Sequence, residues 1–215
     1  HGLGVAPSLI ISKSRNVTGD DGGNWYVNHS YDHTRYLRLN TTAAAVTIAS
    51  QGGGTAVAPT STVFSTYYIV GSNVTSNNYI AYCFAEVEGY SKFGSYIGSG
   101  GQQFVYLGFS PEFVMIKRTD SSSDTHSWFM FDATRDPINN NANEPLIANK
   151  SFAEGTLPDG GSGSAGNIDF DFLSNGFGFP SYQGVGFNGS GATIVYAAFA
   201  KNPFGGSGVS PATAR

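Results

Sequence analysis

Two pairs of acids are spaced so that they could do chemistry. Glu86 and Glu88 stand two apart at the end of the apolar run Tyr79 to Ala85. Strand alternation would put both on one face, and a glycosidase needs two carboxyls about 5–10 Å apart. Asp169 and Asp171 repeat that spacing, with Asp159 nearby. Asp169-x-Asp171 resembles part of a calcium loop, but it lacks the Gly and closing Glu of the EF-hand pattern. The same alternation would leave both carboxylates on a solvated strand face. His29, His33, Asp32, Asp20 and Asp21 gather in one stretch, while His1 and His126 are isolated. A zinc site calls for several His or Cys at ligand spacing, which this stretch lacks. No Gly-x-Ser-x-Gly lies between a strand and a helix. Gly161 to Ser164 and Gly98 to Gly100 read as linkers. No catalytic, cofactor-binding or metal residue is therefore assigned, and the chain is read as a non-enzyme. A polysaccharide-degrading alternative would depend on Glu86 and Asp171.

Trp25 and Trp128 occupy matching places and could stack on sugars. Trp within an apolar strand is more often buried, so both are read as core. Six Asn-x-Ser/Thr triplets occur, at Asn16, Asn28, Asn40, Asn73, Asn149 and Asn188; Asn-rich loops generate such triplets by chance, and Asn40 and Asn149 match each other as one turn. Lys13 and Lys117 match at strand ends and read as solvated charges that discourage edge pairing. Cys83, the single cysteine, excludes an intramolecular disulfide and reads as a small core hydrophobe.

The elements that would position these residues are strands. The 215-residue chain has 29 Gly, 14% aromatic and only 12% charged residues, with a net charge of −4. Charge is about half the usual share, yet the aromatics and β-branched residues argue against disorder. No basic run is present for a phosphate backbone, and no apolar stretch approaches the roughly 20 residues of a membrane helix. No signal peptide is visible, and a start at His1 rather than Met reads as a fragment or processed product.

The segments also repeat. Gly4 to Lys13, with Pro7, matches Gly108 to Lys117, with Pro111. Trp25 to His29 matches Trp128 to Asp132, and Leu37 to Asn40 matches Leu146 to Asn149. Tyr79 to Ala85 matches Ile194 to Ala200, which sets Glu86 against Lys201. This predicts an internal duplication of about 105 residues. The expected fold is all-β: two tandem, duplicated β-sandwich lobes of jelly-roll or lectin-like type, side by side about a pseudo-twofold. The first would span residues 1–96, the second 97–204, and 205–215 would be a flexible tail. The connector Gly89 to Gln103 would be a hinge, with Tyr90, Phe93 and Tyr96 packed between the lobes. A short helix is possible over Ala43 to Ala49, and one or two strands over Ser61 to Val70.

The blocks Pro7 to Lys13, Tyr36 to Ala43 and Tyr79 to Tyr96, with Phe113 to Arg118, Leu173 to Phe177 and Ala198 to Phe204, carry a resemblance. They are similar to a family found at the carboxy-terminal end of marine bacteriophage structural proteins. The resemblance covers at least Gly4 to Phe204. It implies a virion component: a tail-fibre, tail-spike or capsid-decorating domain on the particle surface. Its partners would be other virion proteins and host-surface glycans, and by analogy it would be a homotrimer. It transfers no catalytic residue and implies no cofactor.

Overall fold

The computed structural model of the chain describes residues 1–17, 23–52, 54–66, 73–137, 144–157, 168–181 and 185–203. The protein is mostly β, with three antiparallel sheets and almost no helix. The first sheet contains β1 (Leu9–Ser14), β2 (Trp25–His29), β3 (Arg35–Arg38), β4 (Val46–Thr47) and β5 (Tyr79–Phe84), ordered β4-β3-β2-β1-β5. After β6 (Ser91–Ile97) and β7 (Gln103–Tyr106) come β8 (Pro111–Arg118), β9 (Phe129–Asp132) and β10 (Leu146–Ile147). The hairpin β11 (Asp171–Leu173) and β12 (Gly176–Phe179) leads through the single-turn α1 (Val185–Asn188) to β13 (Thr193–Ala200). The second sheet is β10-β9-β8-β13-β6, and the small third sheet is β11-β12-β7.

Strand alternation assigns the faces. On β8, Val114 and Ile116 enter one buried cluster and Met115 enters another; on β13, Ile194, Tyr196 and Ala198 part in the same way from Val195 and Ala197. The first cluster also holds Val105 of β7 and Phe177 and Phe179 of β12. The other holds Leu9, Val27 and Leu37 of the first sheet, together with Phe93 and Trp128. The second sheet is thus a middle layer with an apolar layer on each side. Being covered on both faces, β13 reads as a near-continuous apolar run, TIVYAAFA, as strands buried on both faces do.

This differs from two sandwiches lying side by side. The two large sheets share one core, because the apolar face of the first sheet closes on the second. The limit drawn after residue 96 falls inside β6, which pairs with β13 over seven positions from Phe199↔Ser91 to Thr193↔Ile97. Phe93 does pack between the large sheets. Tyr96 points the other way, edge-on to Phe177, and its hydroxyl donates to the Phe187 carbonyl at 2.6 Å. Tyr90 is 36% exposed, with its ring against Phe199. Gly98 to Gly101 is no loose linker. Buried Asn188 accepts from the Ser99 N–H at 2.9 Å and donates to the Gly101 carbonyl at 2.6 Å. Ala43 to Ala49 is not helical; it holds β4, then a 3₁₀ turn at Ala49–Gln51. Ile48 is fully buried beside Tyr26 and Tyr36 on the outer face of the first sheet. Residues 61–66 form no strand. Residues 67–70 and the tail 205–215 lie outside the described residues.

Local chemistry recurs in the two large sheets. The Asn40 side chain accepts from the Trp25 N–H at 3.0 Å, and the Asn149 side chain accepts from the Trp128 N–H at 2.8 Å. A turn of sequence Asp-x-Thr-Arg also follows each strand, starting three residues after β2 and at the last residue of β9. Asp32 accepts from the Thr34 N–H at 2.9 Å and pairs with Arg35; Asp132 accepts from the Thr134 N–H at 2.8 Å and pairs with Arg135.

Candidate functional site

Most apolar side chains of the small sheet point inward, but two rings do not. On β7 (QFVY), Val105 faces the core, while Phe104 and Tyr106 are 49% and 47% exposed. The neighbouring strand, β12, reads GFGF. Its two phenylalanines are buried in the aromatic cluster around Phe170, so alternation puts its glycines on the opposite face, where they too are buried. Register places Phe104 opposite Gly178 and Asp171, and Tyr106 opposite Gly176 and Leu173. A Cβ at Gly176 would lie 2.1 Å from the Val105 carbonyl oxygen and 3.0 Å from the Phe104 ring. Only Gly fits there, because a side chain would strike the Val105 backbone and crowd the Phe104 ring packed beside it.

The result is a face with a glycine floor, two exposed rings and polar ends. Beside Phe104 is an open cleft of about 400 Å³ lined by Gln102, Gln103, Asp171, Leu173 and Pro180. Burial, and then the neighbouring Asp169 charge, pushes the Asp171 carboxyl up from its ordinary value. Asp169 accepts a hydrogen bond from the Ser181 hydroxyl at 3.0 Å. Beside Tyr106 is a second cleft, of about 350 Å³, lined by Glu86, Glu88, Lys92 and Phe109. The Lys92 ammonium sits 5.3 Å from the centre of the Tyr106 ring and donates to the Tyr106 carbonyl at 3.3 Å.

Both acid pairs singled out in the sequence thus flank β7, one at each end. Neither pair is the strand-face dyad their spacing suggested. β5 stops at Phe84, so Glu86 and Glu88 lie in the turn before β6. The Glu86 carboxylate accepts the Phe93 N–H at 3.0 Å. Asp169 is buried, whereas Asp171 is half-buried. Asp159, Asp20 and Asp21 lie outside the described residues. Among the described residues, no three His, Cys, Asp or Glu side chains cluster to hold a metal.

The histidines do not come together. His29 is buried, its Nδ1 accepting from the Tyr31 N–H at 3.0 Å and its Nε2 lying 3.0 Å from the Tyr196 carbonyl. That pairing specifies the neutral Nε2–H form, and burial holds its pKa below the ordinary value. His126 is buried too, His33 is exposed, and His1 contacts the Thr60 carbonyl. Several sequon side chains are also engaged: Asn188, Asn40 and Asn149 as above, Asn16 on the Asn78 N–H, and Asn28 on the Arg35 carbonyl.

Two matched pairs part company. Trp128 is 2% exposed in the core shared by the large sheets, and its Nε1–H donates to the Arg38 carbonyl at 2.9 Å. Trp25 is half-buried, with its ring stacked against the half-exposed Tyr82 and the Lys13 ammonium 5.7 Å away. Lys117 is not a solvated strand-end charge. It is fully buried and donates to the carbonyls of Arg118 at 2.6 Å and Thr42 at 3.3 Å. Burial pushes its pKa down to about 8. Cys83 is half-buried on the edge strand β5 rather than sealed in a core.

The exposed rings of β7 went unread because Phe-Val-Tyr is apolar throughout and shows no alternation. The legible signal was in its partner, where Gly and Phe alternate. A family model for a domain of unknown function, DUF7483, matches residues 1–203. No curated protein and no solved structure matches the chain.

Proposed function

The chain belongs to the DUF7483 family, and from its exposed small-sheet face we propose that it is a non-enzymatic recognition domain displayed on a phage virion. The observation that carries this reading is the pair Phe104 and Tyr106, held open to solvent on a glycine floor. Large apolar rings are usually buried in a folded core; two on one sheet face, rimmed by polar groups, fit a binding surface. The virion setting rests on the sequence resemblance to phage structural proteins. The non-enzymatic reading is supported by Glu86, whose carboxylate is occupied by a backbone N–H.

The test uses labelled full-length chain on host cells, together with immunogold labelling of particles. Phe104→Ala/Tyr106→Ala should abolish cell adsorption while the thermal midpoint is kept. Equal adsorption by wild type and the double variant would sink the recognition reading. Absence of label from particles would sink the virion setting.

A second reading, a structural module joining virion subunits, draws on the edge strand β5. Its Ile80 and Tyr82 are 38% and 44% exposed beside Trp25. It predicts a homo-oligomer, a trimer by analogy, that Tyr82→Lys converts to monomer in light scattering.

We also infer that the two large sheets descend from one duplicated unit. Supporting this are the shared order of β3-β2-β1-β5 and β10-β9-β8-β13, the paired Asn-to-Trp contacts and the paired Asp-x-Thr-Arg turns. The added β6 and the small sheet belong to the second copy alone.

A further inference from the structure

Resting on the recognition reading, we propose that the β7 face binds a neutral, polyhydroxylated glycan chain lying along the strand across Phe104 and Tyr106. The two rings stand on residues two apart in one strand, whose Cα atoms are about 6.6 Å apart. They share a face with the glycine backbone at Gly176 and Gly178 and with Leu173. A ring offers its flat side to the apolar C–H face of a sugar, while the sugar's hydroxyls need hydrogen-bonding groups at the rim. Those groups are present: Gln103 and Asp171 beside Phe104, and Glu88 and Lys92 beside Tyr106. Gly176 and Gly178 are themselves buried beneath Phe104 and Leu173, so the ligand would rest on the rings rather than on the sheet.

Charge selects among glycans. Glu86, Glu88 and Asp171 line the clefts beside the face, with the buried Asp169 near Asp171, against the single ammonium of Lys92. That ammonium is already directed at the Tyr106 ring and carbonyl. An anionic polysaccharide would meet like charge at both ends of β7, whereas a neutral chain would meet hydrogen-bonding groups for its hydroxyls without that repulsion. Acceptor carboxylates bind sugar hydroxyls well.

The experiment is a printed array of neutral gluco-, manno-, galacto- and N-acetylhexosamine oligosaccharides, with uronate and sulfated chains as counterparts, probed with the full chain. Calorimetry on the best hit follows, at low and high salt. Wild type should bind neutral chains with affinity independent of salt. Phe104→Leu, which keeps the apolar volume but loses the flat ring, and Tyr106→Ala should each weaken binding about tenfold. A blank array, preference for the uronate or sulfated chains, or unchanged binding in both variants overturns the assignment. If the array is blank but Phe104→Ala/Tyr106→Ala still loses cell adsorption, the glycan class falls and the recognition face stands. If the double variant adsorbs like wild type, both fall.

Discussion

The two large sheets run their strands in the same order, yet they treat matching residues differently. In the second sheet Trp128 and Lys117 are sealed; in the first, Trp25 and Lys13 lie half-buried with the Lys13 ammonium near the indole. The strand on the far side of β1, β5, is an edge, whereas the strand in the same place beside β8, β13, is interior. The cause is the number of layers. The second sheet has β6 along its side, the small sheet on its far face and the first sheet on its near face. The first sheet meets another sheet on one face only, and that apolar face stays partly open at Ile80, Tyr82 and Trp25. Burial here belongs to the stacking rather than to the residue.

The largest expected difference tests the tryptophans. Trp128→Ala should cost about 3–5 kcal/mol, as truncating a fully buried Trp does. Trp25→Ala should cost about 1 kcal/mol, the ordinary effect of a half-buried site. Urea midpoints on both variants check this; equal losses would mean that the two sheets are not buried unequally.

The buried lysine comes next. Below pH 8, Lys117 holds its proton whether the chain is folded or unfolded. Between pH 8 and the ordinary 10.5, only the unfolded chain holds it. Stability should therefore rise with pH across that window, by up to ~3 kcal/mol. Above pH 10 the buried Tyr96 hydroxyl, and that of Tyr196 pushed up to about 12, act in the opposite sense. The unfolded tyrosines ionise while the folded ones do not, and stability falls. In a pH series of urea midpoints, Lys117→Met should flatten the rise and leave the later fall; an unaltered rise would remove Lys117 as its source.

A smaller effect tests sameness rather than difference. Asn40→Ala and Asn149→Ala each remove the acceptor of a tryptophan N–H, at about 1–2 kcal/mol apiece. A loss at one site with none at the other would argue that the recurring contact has different roles in the two sheets.

The smallest effect belongs to His29, at the seam between the sheets. Its pKa is held below 6.5 by burial, and its Nδ1 already accepts an N–H. As pH falls through 6.5, the unfolded chain gains a proton that the folded chain refuses, so stability falls. His29→Asn should lessen that slope without abolishing it, because buried His126 is lowered in the same direction. An unchanged acid slope would place the titration elsewhere.

Much of the fold was legible. Runs such as Leu9 to Lys13 and Ile194 to Ala200 marked strands through their β-branched and aromatic content, and the recurrence of Trp, Asn and Lys at matching places carried the pairing of the two large sheets. Asn40 and Asn149 were readable as one turn because a side-chain amide acts on backbone close by in sequence. Local chemistry of this kind is written where it acts. The candidate site was legible only as scattered acids. Alternation along β7 or β8 says that a strand has two faces, but not which layer covers each. Only the stacking of three sheets decided that Lys117 is sealed, that Glu86 serves a backbone N–H, and that Phe104 and Tyr106 remain open over glycine. Those outcomes depend on contacts between strands far apart in the chain, which no local pattern encodes.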